Sequence, residues 1–166
     1  MKNGQFLIAV YVENKSGVVT RITSMFTRRG FNIDSVTGAE TENNAYSRIT
    51  VAMTGDEYVR QQLIAQLQKL PVVKKVELLE SECIQRELML IKVKNDSKNR
   101  SDIMTAVDVF RASVIDYAAE SMCIEITGLP SKMDAFIKLM QPFGILEMCR
   151  TGVVALDRGN ITLLDK

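Results

Sequence analysis

The sequence predicts an α+β protein built from two βαββαβ units, and three observations support this fold class. First, the order strand, helix, strand, strand, helix, strand occurs twice in 166 residues, a length that suits two domains of about 80 residues each. Second, short apolar or alternating runs predict strands, whereas the intervening stretches carry apolar residues at helical spacing. Third, Gly, Pro and polar turn residues separate these segments.

In the first half, residues 5–13 are almost continuously apolar, which is typical of a strand covered on both faces. A polar loop over 14–17 leads into an amphipathic helix. Thr54, with Glu57 three residues later, predicts a capping box at the start of a second helix, which Pro71 ends. The other strands are predicted at 32–39, 46–53 and 72–79.

The second half repeats this order with different residues. Strands are predicted at 88–93, 114–118, 122–127 and 145–149, with one helix after the first of them and another before the last. Two ferredoxin-like domains follow from this pattern. We expect the first at 1–80, a linker at 81–86, the second at 87–158, and a disordered or loosely packed tail at 159–166.

The first strand raises the question of what covers its second face. In a βαββαβ unit the helices cover one face of the sheet, so an apolar second face or a sheet edge must meet something else. Homodimerisation is one interpretation. The alternative is that the two halves of one chain cover each other.

Composition narrows the function classes. A net charge of +1 gives little attraction to nucleic acid, and no run approaches the length of a membrane span, so we expect neither a nucleic-acid nor a membrane partner. No signal peptide opens the chain, which favours the cytoplasm. The cysteines Cys83, Cys123 and Cys149 are too irregularly spaced for a disulfide framework or a zinc site.

The residues that usually carry catalysis are missing. There is no His, no nucleotide-binding glycine motif and no pair of carboxylates arranged for acid–base work. Glu40 and Glu42 are interpreted as residues that flank a turn. We therefore predict no catalytic residue and no metal site, and a chain that binds and regulates.

The loop from Asn14 to Gly17 is the strongest candidate site. A helix start offers unpaired N–H groups and a partial positive charge, which suit a carboxylate or phosphate. Gly17 permits close approach of a ligand to the backbone, and the Asn14 amide can both donate and accept. A small anionic or zwitterionic ligand fits these properties. The simpler alternative is that the loop only forms the entry turn of the helix.

Several segments, taken together and in order, resemble the regulatory (small) subunit of acetolactate synthase, also called acetohydroxyacid synthase. They extend over nearly the whole chain. They are VYVENKSGVVTRI (10–22), FTRRGFNIDSVT (26–37), SRIT (47–50), QLQKL (66–70), RELMLIKV (86–93), DAF (134–136) and RTGVVAL (150–156).

The resemblance implies an N-terminal ACT domain followed by a second ferredoxin-like domain. In that family ACT domains pair side by side, and valine or another branched-chain amino acid binds at the interface. The small subunit activates a separate large subunit that carries thiamine diphosphate, magnesium and FAD and forms acetolactate from pyruvate. Effector binding to the small subunit gives feedback inhibition, while the small subunit itself holds no cofactor.

Carried over by position, the resemblance implies an effector site of Asn14, Gly17 and Val18, completed by Asn32 and Ile33 of a second ACT domain. Where the family usually has a larger apolar residue, this chain has Gly38. Two other interpretations stay open at this point. One is a stand-alone double-ACT amino-acid sensor, and the other is a structural assembly subunit whose loop binds nothing.

Overall fold

The computed structural model describes residues 4–28, 30–79 and 82–165. They fall into two units, one of Met1–Gln85 with Gly152–Lys166 and the other of Arg86–Thr151. Each unit contains a βαββαβ arrangement around an antiparallel sheet. The predicted fold class, α+β with two ferredoxin-like units, is therefore confirmed.

The first unit has the sheet order β2-β3-β1-β4, so β2 and β4 are its edge strands. Its elements are β1 (Gln5–Glu13), α1 (Val18–Arg28), β2 (Ile33–Glu40), β3 (Tyr46–Thr54), α2 (Glu57–Leu67) and β4 (Val73–Leu78).

The second unit has the order β6-β7-β5-β8. Its elements are β5 (Ile84–Lys94), α3 (Arg100–Val109), β6 (Ser113–Tyr117), β7 (Ser121–Gly128), α4 (Pro130–Met140), a 3-10 helix (Gln141–Phe143) and β8 (Ile145–Arg150). The short strand β9 (Val154–Leu156) falls in the first unit and pairs with β5, which begins in the same unit at Ile84.

The strand β1 is buried on both faces, as its continuous apolar run predicts. Phe6, Ile8 and Val10 alternate towards α1 and α2, where the main core of the first unit lies. Leu7 and Ala9 point to the opposite face, which we call the outer face of this sheet. Successive side chains of a strand point to opposite faces, so a continuous apolar run gives a strand two apolar faces. Such a run is typical of a strand that is covered on both faces.

Part of the cover of the outer face comes from the C-terminal end of the same chain, beside Leu79 and Cys83. Val153, Ala155 and Leu163 are buried in the cluster that contains Leu7 and Ala9. The prediction of a loose tail at 159–166 is therefore wrong for Leu163, which is only 6% exposed. All of the residues in this cluster belong to the first unit.

The domain boundaries differ from the expected ones in the same way. The second unit ends at Thr151 rather than at 158, because the residues after it pack on the first unit. In the expected linker at 81–86, Cys83 and Gln85 are buried and β5 has already begun at Ile84.

The predicted capping box is wrong. The N-cap of α2 is Asp56, whose carboxylate accepts a hydrogen bond from the Val59 N–H at 2.8 Å. Thr54 is still in β3, and its hydroxyl donates to Asp34 at 2.9 Å instead. Aspartate two residues later offers the same kind of side-chain acceptor, and acidic residues suit the helix start.

In the second unit an ion-pair group fixes the end of β8. Arg150 donates two hydrogen bonds of 2.7 Å to Glu87, which is 4% exposed, and one of 2.9 Å to Asp134 on α4. These carboxylates raise the pKa of Arg150, Glu87 contributing most. A bidentate pair of this kind has little freedom, so β5, β8 and α4 are held in one arrangement.

Candidate functional site

The site is built where the β1–α1 loop meets the far end of β2. Gly17 has φ +81°, a left-handed conformation that favours glycine, and α1 begins at the next residue. A methyl group added to Gly17 would meet no atom within 4 Å, so the space around this position is open.

Asn14 ties the loop to the β2–β3 turn. Its side-chain amide donates to the Glu40 carboxylate and to the Asn44 carbonyl, both at 2.9 Å. Its backbone N–H donates to the Ala45 carbonyl at 2.8 Å. Both N–H groups of the amide are therefore used within the chain, and the amide carbonyl is the part of Asn14 that is left to face a ligand.

The first turn of α1 offers donors slightly beyond the predicted position. The Val18 N–H already donates to the Lys15 carbonyl at 3.3 Å, and that of Arg21 donates to Gly17 at 3.0 Å. Within the described part of the chain, the N–H groups of Val19 and Thr20 have no acceptor. These two groups, at the positive end of the helix dipole, are the ones that suit a carboxylate.

A cavity of about 410 Å³ lies between this loop, α1 and β2. This volume is in the range of small-molecule sites. Its walls combine valine and isoleucine side chains with the charged ends of two glutamates and a lysine. It is lined by Glu13, Asn14, Lys15, Val18, Val19, Val36, Gly38, Ala39, Glu40, Ser47 and Ile49.

Glu13 carries a fixed negative charge at this cavity. Its carboxylate lies 2.7 Å from the Lys15 ammonium and 2.6 Å from that of Lys74 on β4. Hydrogen bonds from Lys15 and Lys74, in that order, lower the pKa of Glu13 from 4.5 to about 2. The same contact with Glu13 raises the pKa of Lys74. Glu13 and Lys74 are therefore both charged at neutral pH.

The structure brings together only part of the predicted site. Asn14 and Val18 line the cavity, and Gly17 lies between them in sequence. Asn32 and Ile33 lie at the opposite end of β2, about 23 Å from Glu40 by the rise of an extended strand. Within one chain these two sets do not meet, so the assignment of all five residues to one site stays a prediction.

Sequence reasoning missed the β2 and β3 side of the cavity. Glu40, interpreted only as a turn residue, accepts the Asn14 hydrogen bond, and Val36, Gly38 and Ile49 form the apolar wall. Strand pairing is the signal that could have found them, because Glu13 is paired with Tyr46 and Glu40 with Ser47. That register places the end of β2 beside the loop that follows β1.

Two further observations concern the described residues alone. In these ranges, no group of three or more Cys, Asp or Glu side chains is placed to hold a metal ion. Over the same ranges, none of the helices has the length and apolar composition that a membrane span needs.

Comparison with known proteins identifies the family. A family model described as an AHAS small subunit-like ACT domain matches residues 8–75, and one described as the small subunit of acetolactate synthase matches residues 86–159. The two matches follow the division of the chain into two βαββαβ arrangements.

Similar proteins extend over almost the whole chain. The probable acetolactate synthase small subunit of Archaeoglobus fulgidus is 45% identical over 153 residues, covering 92% of this chain and 96% of that protein. The acetolactate synthase small subunit of Mycolicibacterium smegmatis is 43% identical over 162 residues, covering 96% and 95%. The crystal structure of the acetolactate synthase small subunit from Thermotoga maritima matches with a TM-score of 0.88 at 38% identity, covering 95% and 99%.

The fold and the matches define a regulatory class of protein, with an N-terminal ACT domain and a second ferredoxin-like unit. The chain belongs to the family of acetolactate synthase small subunits. The resemblance found in the sequence is confirmed at this level.

Proposed function

We propose that this chain activates the catalytic subunit of acetolactate synthase and makes it sensitive to a branched-chain amino acid, valine first among the candidates. The observation that carries the proposal is the cavity at the start of α1, which joins helix-terminal N–H donors, a carboxylate and an apolar wall. An α-amino acid with a small apolar side chain needs these three features together.

Each part of the amino acid has a partner in this arrangement. Its carboxylate suits the N–H groups of Val19 and Thr20. Its ammonium suits the Glu40 carboxylate and the Asn14 carbonyl, and its side chain suits the wall that includes Gly38. A methyl group on Gly38 would lie 3.2 Å from Ile49 Cγ1, so a larger residue there would reduce the space for the effector.

A second copy of the ACT domain completes the proposed site. β2 is an edge strand, and two such edges can pair side by side in antiparallel fashion around a twofold axis. Antiparallel pairing would bring the start of one β2, with Asn32 and Ile33, beside the end of the other, with Glu40. This geometry supports the prediction that the partner supplies Asn32 and Ile33.

The output of the site is the activity of another subunit. Thiamine diphosphate, magnesium and FAD are expected there, none of them in this chain, and the compartment we propose is the cytoplasm. The effector shifts the small subunit between two states only by its differential affinity for them, typically a coupling of about 1–3 kcal/mol. Valine would favour the dimer state that activates the catalytic subunit less.

Reconstitution with the cognate catalytic subunit tests the proposal, with acetolactate formation measured across valine concentrations. The wild-type chain should raise activity, and valine should lower it. Gly17→Asp should still activate but resist valine, because its carboxylate would face that of the effector in the open space at this position. Leucine and isoleucine in parallel test the preference among effectors.

Gly17→Asn is the matched control for charge. Asparagine has the size of aspartate and tolerates the same positive φ, so it changes the bulk and not the charge. It should remain inhibited, at a higher valine concentration. Normal inhibition of Gly17→Asp would show that the assigned site is wrong, and failure of the wild-type chain to activate would remove the proposed function itself.

A further inference from the structure

The segment from 152 to 165 packs on the outer face of the first unit, directly behind the strand that forms one wall of the cavity. Val153, Ala155 and Leu163 are buried there against β1 and β3. The Arg48 guanidinium on β3 donates to the Ala155 carbonyl at 2.9 Å and fastens the segment in place. We call residues 152–165 the C-terminal segment.

Gly152 is the point at which this segment meets β2. A methyl group built on it would lie 2.8 Å from the Thr37 hydroxyl oxygen and 2.9 Å from Ser35 Cβ, closer than side chains approach in folded proteins. Its φ is +80°, which also favours glycine. Both the contact and the conformation therefore require a residue without a side chain.

Ser35 and Thr37 alternate along β2 with Val36 and Gly38, which line the cavity. Successive side chains of a strand point to opposite faces. Ser35 and Thr37 therefore lie on one face of β2, and Val36 and Gly38 lie on the other. Among the described residues of one chain, β2 is hydrogen-bonded to a neighbouring strand on one side only, by β3. Pairing with β3 is one restraint on the position of β2. The C-terminal segment is a second one, because it contacts the face of β2 opposite to the cavity.

We propose that Gly152 is a positioning residue for the effector: by seating the C-terminal segment against Ser35 and Thr37, it holds β2 in the position that gives the cavity its binding shape. This inference rests on the proposed function. Gly152 directly follows Thr151, the last residue of the second unit, so it stands at one of the two covalent junctions between the units.

The test compares Gly152→Ala with Gly159→Ala. Both glycines have a positive φ, +80° and +75°, but a methyl group at 159 would meet no atom within 4 Å. The pair therefore shares the backbone strain and differs in the contact with β2. One readout is the valine concentration that half-inhibits the reconstituted synthase, relative to each variant's own activity without valine. The other is amide hydrogen exchange of residues 33–40 in the small subunit alone, without effector.

Gly152→Ala should raise the half-inhibiting concentration about tenfold and speed exchange across β2, whereas Gly159→Ala should leave both close to wild type. Equal effects of the two variants, or unchanged exchange in Gly152→Ala, would overturn the inference. If the wild-type synthase ignores valine, the proposed function fails, and the exchange comparison still decides whether Gly152 holds β2.

Arg48→Met supplies a second variant should Gly152→Ala fail to fold. It removes the donor to the Ala155 carbonyl and adds no bulk next to β2. Loosening the segment in this way should also speed exchange over 33–40 and weaken inhibition. Protection equal to wild type in β2 would count against the inference.

Discussion

Glu13 shows how one residue sets the charge at the rim of the cavity. It is the last residue of β1, with its carboxylate between Lys15 in the following loop and Lys74 on β4. Its side chain is 23% exposed, so solvent and salt weaken the two ion pairs. The pair with Lys74 links β4 to the end of β1, next to Asn14.

The pH dependence of stability tests this arrangement. Because the pKa of Glu13 is lowered from 4.5 to about 2, its stabilising effect is fully present above pH 4.5 and is lost as the pH falls towards 2. Glu13→Gln should therefore be less stable than wild type at pH 6, and the difference should narrow at pH 3. Urea unfolding at both pH values measures it. A difference that is the same at both would contradict the ion-pair explanation.

Some residues of the candidate site were predictable from the sequence, and others were not. Asn14 and Gly17 stand out because amide and glycine just before a helix have a local physical meaning. Glu40 does not stand out, because its role depends on the Asn14 amide, 26 positions earlier in the chain. Only the pairing of β1 and β2 with β3 brings the two together.

At the scale of elements, the C-terminal segment is the main difference between expectation and structure. Asp157, Arg158, Gly159 and Asn160 are polar or small, which is why the end of the chain predicts a loose tail. Beyond them, Leu163 returns to the outer face of the first sheet. A few apolar residues at irregular spacing give no periodic signal, so this packing was not predictable from pattern alone.

Neighbouring leucines give a matched test of that packing. Leu163 is 6% exposed and Leu164 is 58% exposed. Leu163→Ala should lower the free energy of unfolding by about 2 kcal/mol, because it removes buried methyl groups and leaves a cavity. Leu164→Ala should change it by less than about 0.5 kcal/mol. Chemical denaturation followed by circular dichroism measures both, and two equally small effects would mean that the segment is loosely held.

Element order was predictable because each strand and helix carries its own period. The starts of the helices were less predictable. Both Thr54 and Asp56 are residue types that favour an N-cap. Asp56 caps α2 because β3 extends to Thr54. The double-faced burial of β1 was predictable, but the identity of its cover was not. Part of that cover, formed by Val153, Ala155 and Leu163, lies more than 140 positions away in the chain.

At the scale of the whole molecule, the proposed site is larger than one chain. Asn14 with the start of α1 lies at one end of β2, and Asn32 with Ile33 lies at the other. Five residues from one sequence can therefore form a site only if a second copy contributes two of them. No pattern within a single sequence measures that distance, which is why the sequence could suggest the partner's role but not establish it.

Mixed dimers test the shared site most directly. Asn14→Ala and Asn32→Ala, each with its own affinity tag, are co-expressed, and the heterodimer is purified and combined with the catalytic subunit. Each variant alone should resist valine. In the heterodimer both substitutions fall in the same site, which leaves the other site intact. The control heterodimer pairs Asn14→Ala with Gly17→Asp, which damage separate sites because both residues come from the same side.

The measurement is acetolactate formation by these two heterodimers with and without valine. A site shared between two ACT domains predicts that the Asn14→Ala/Asn32→Ala heterodimer regains inhibition by valine, whereas the Asn14→Ala/Gly17→Asp heterodimer stays resistant. Resistance of both heterodimers, with each variant still able to activate the catalytic subunit, would contradict the shared effector site.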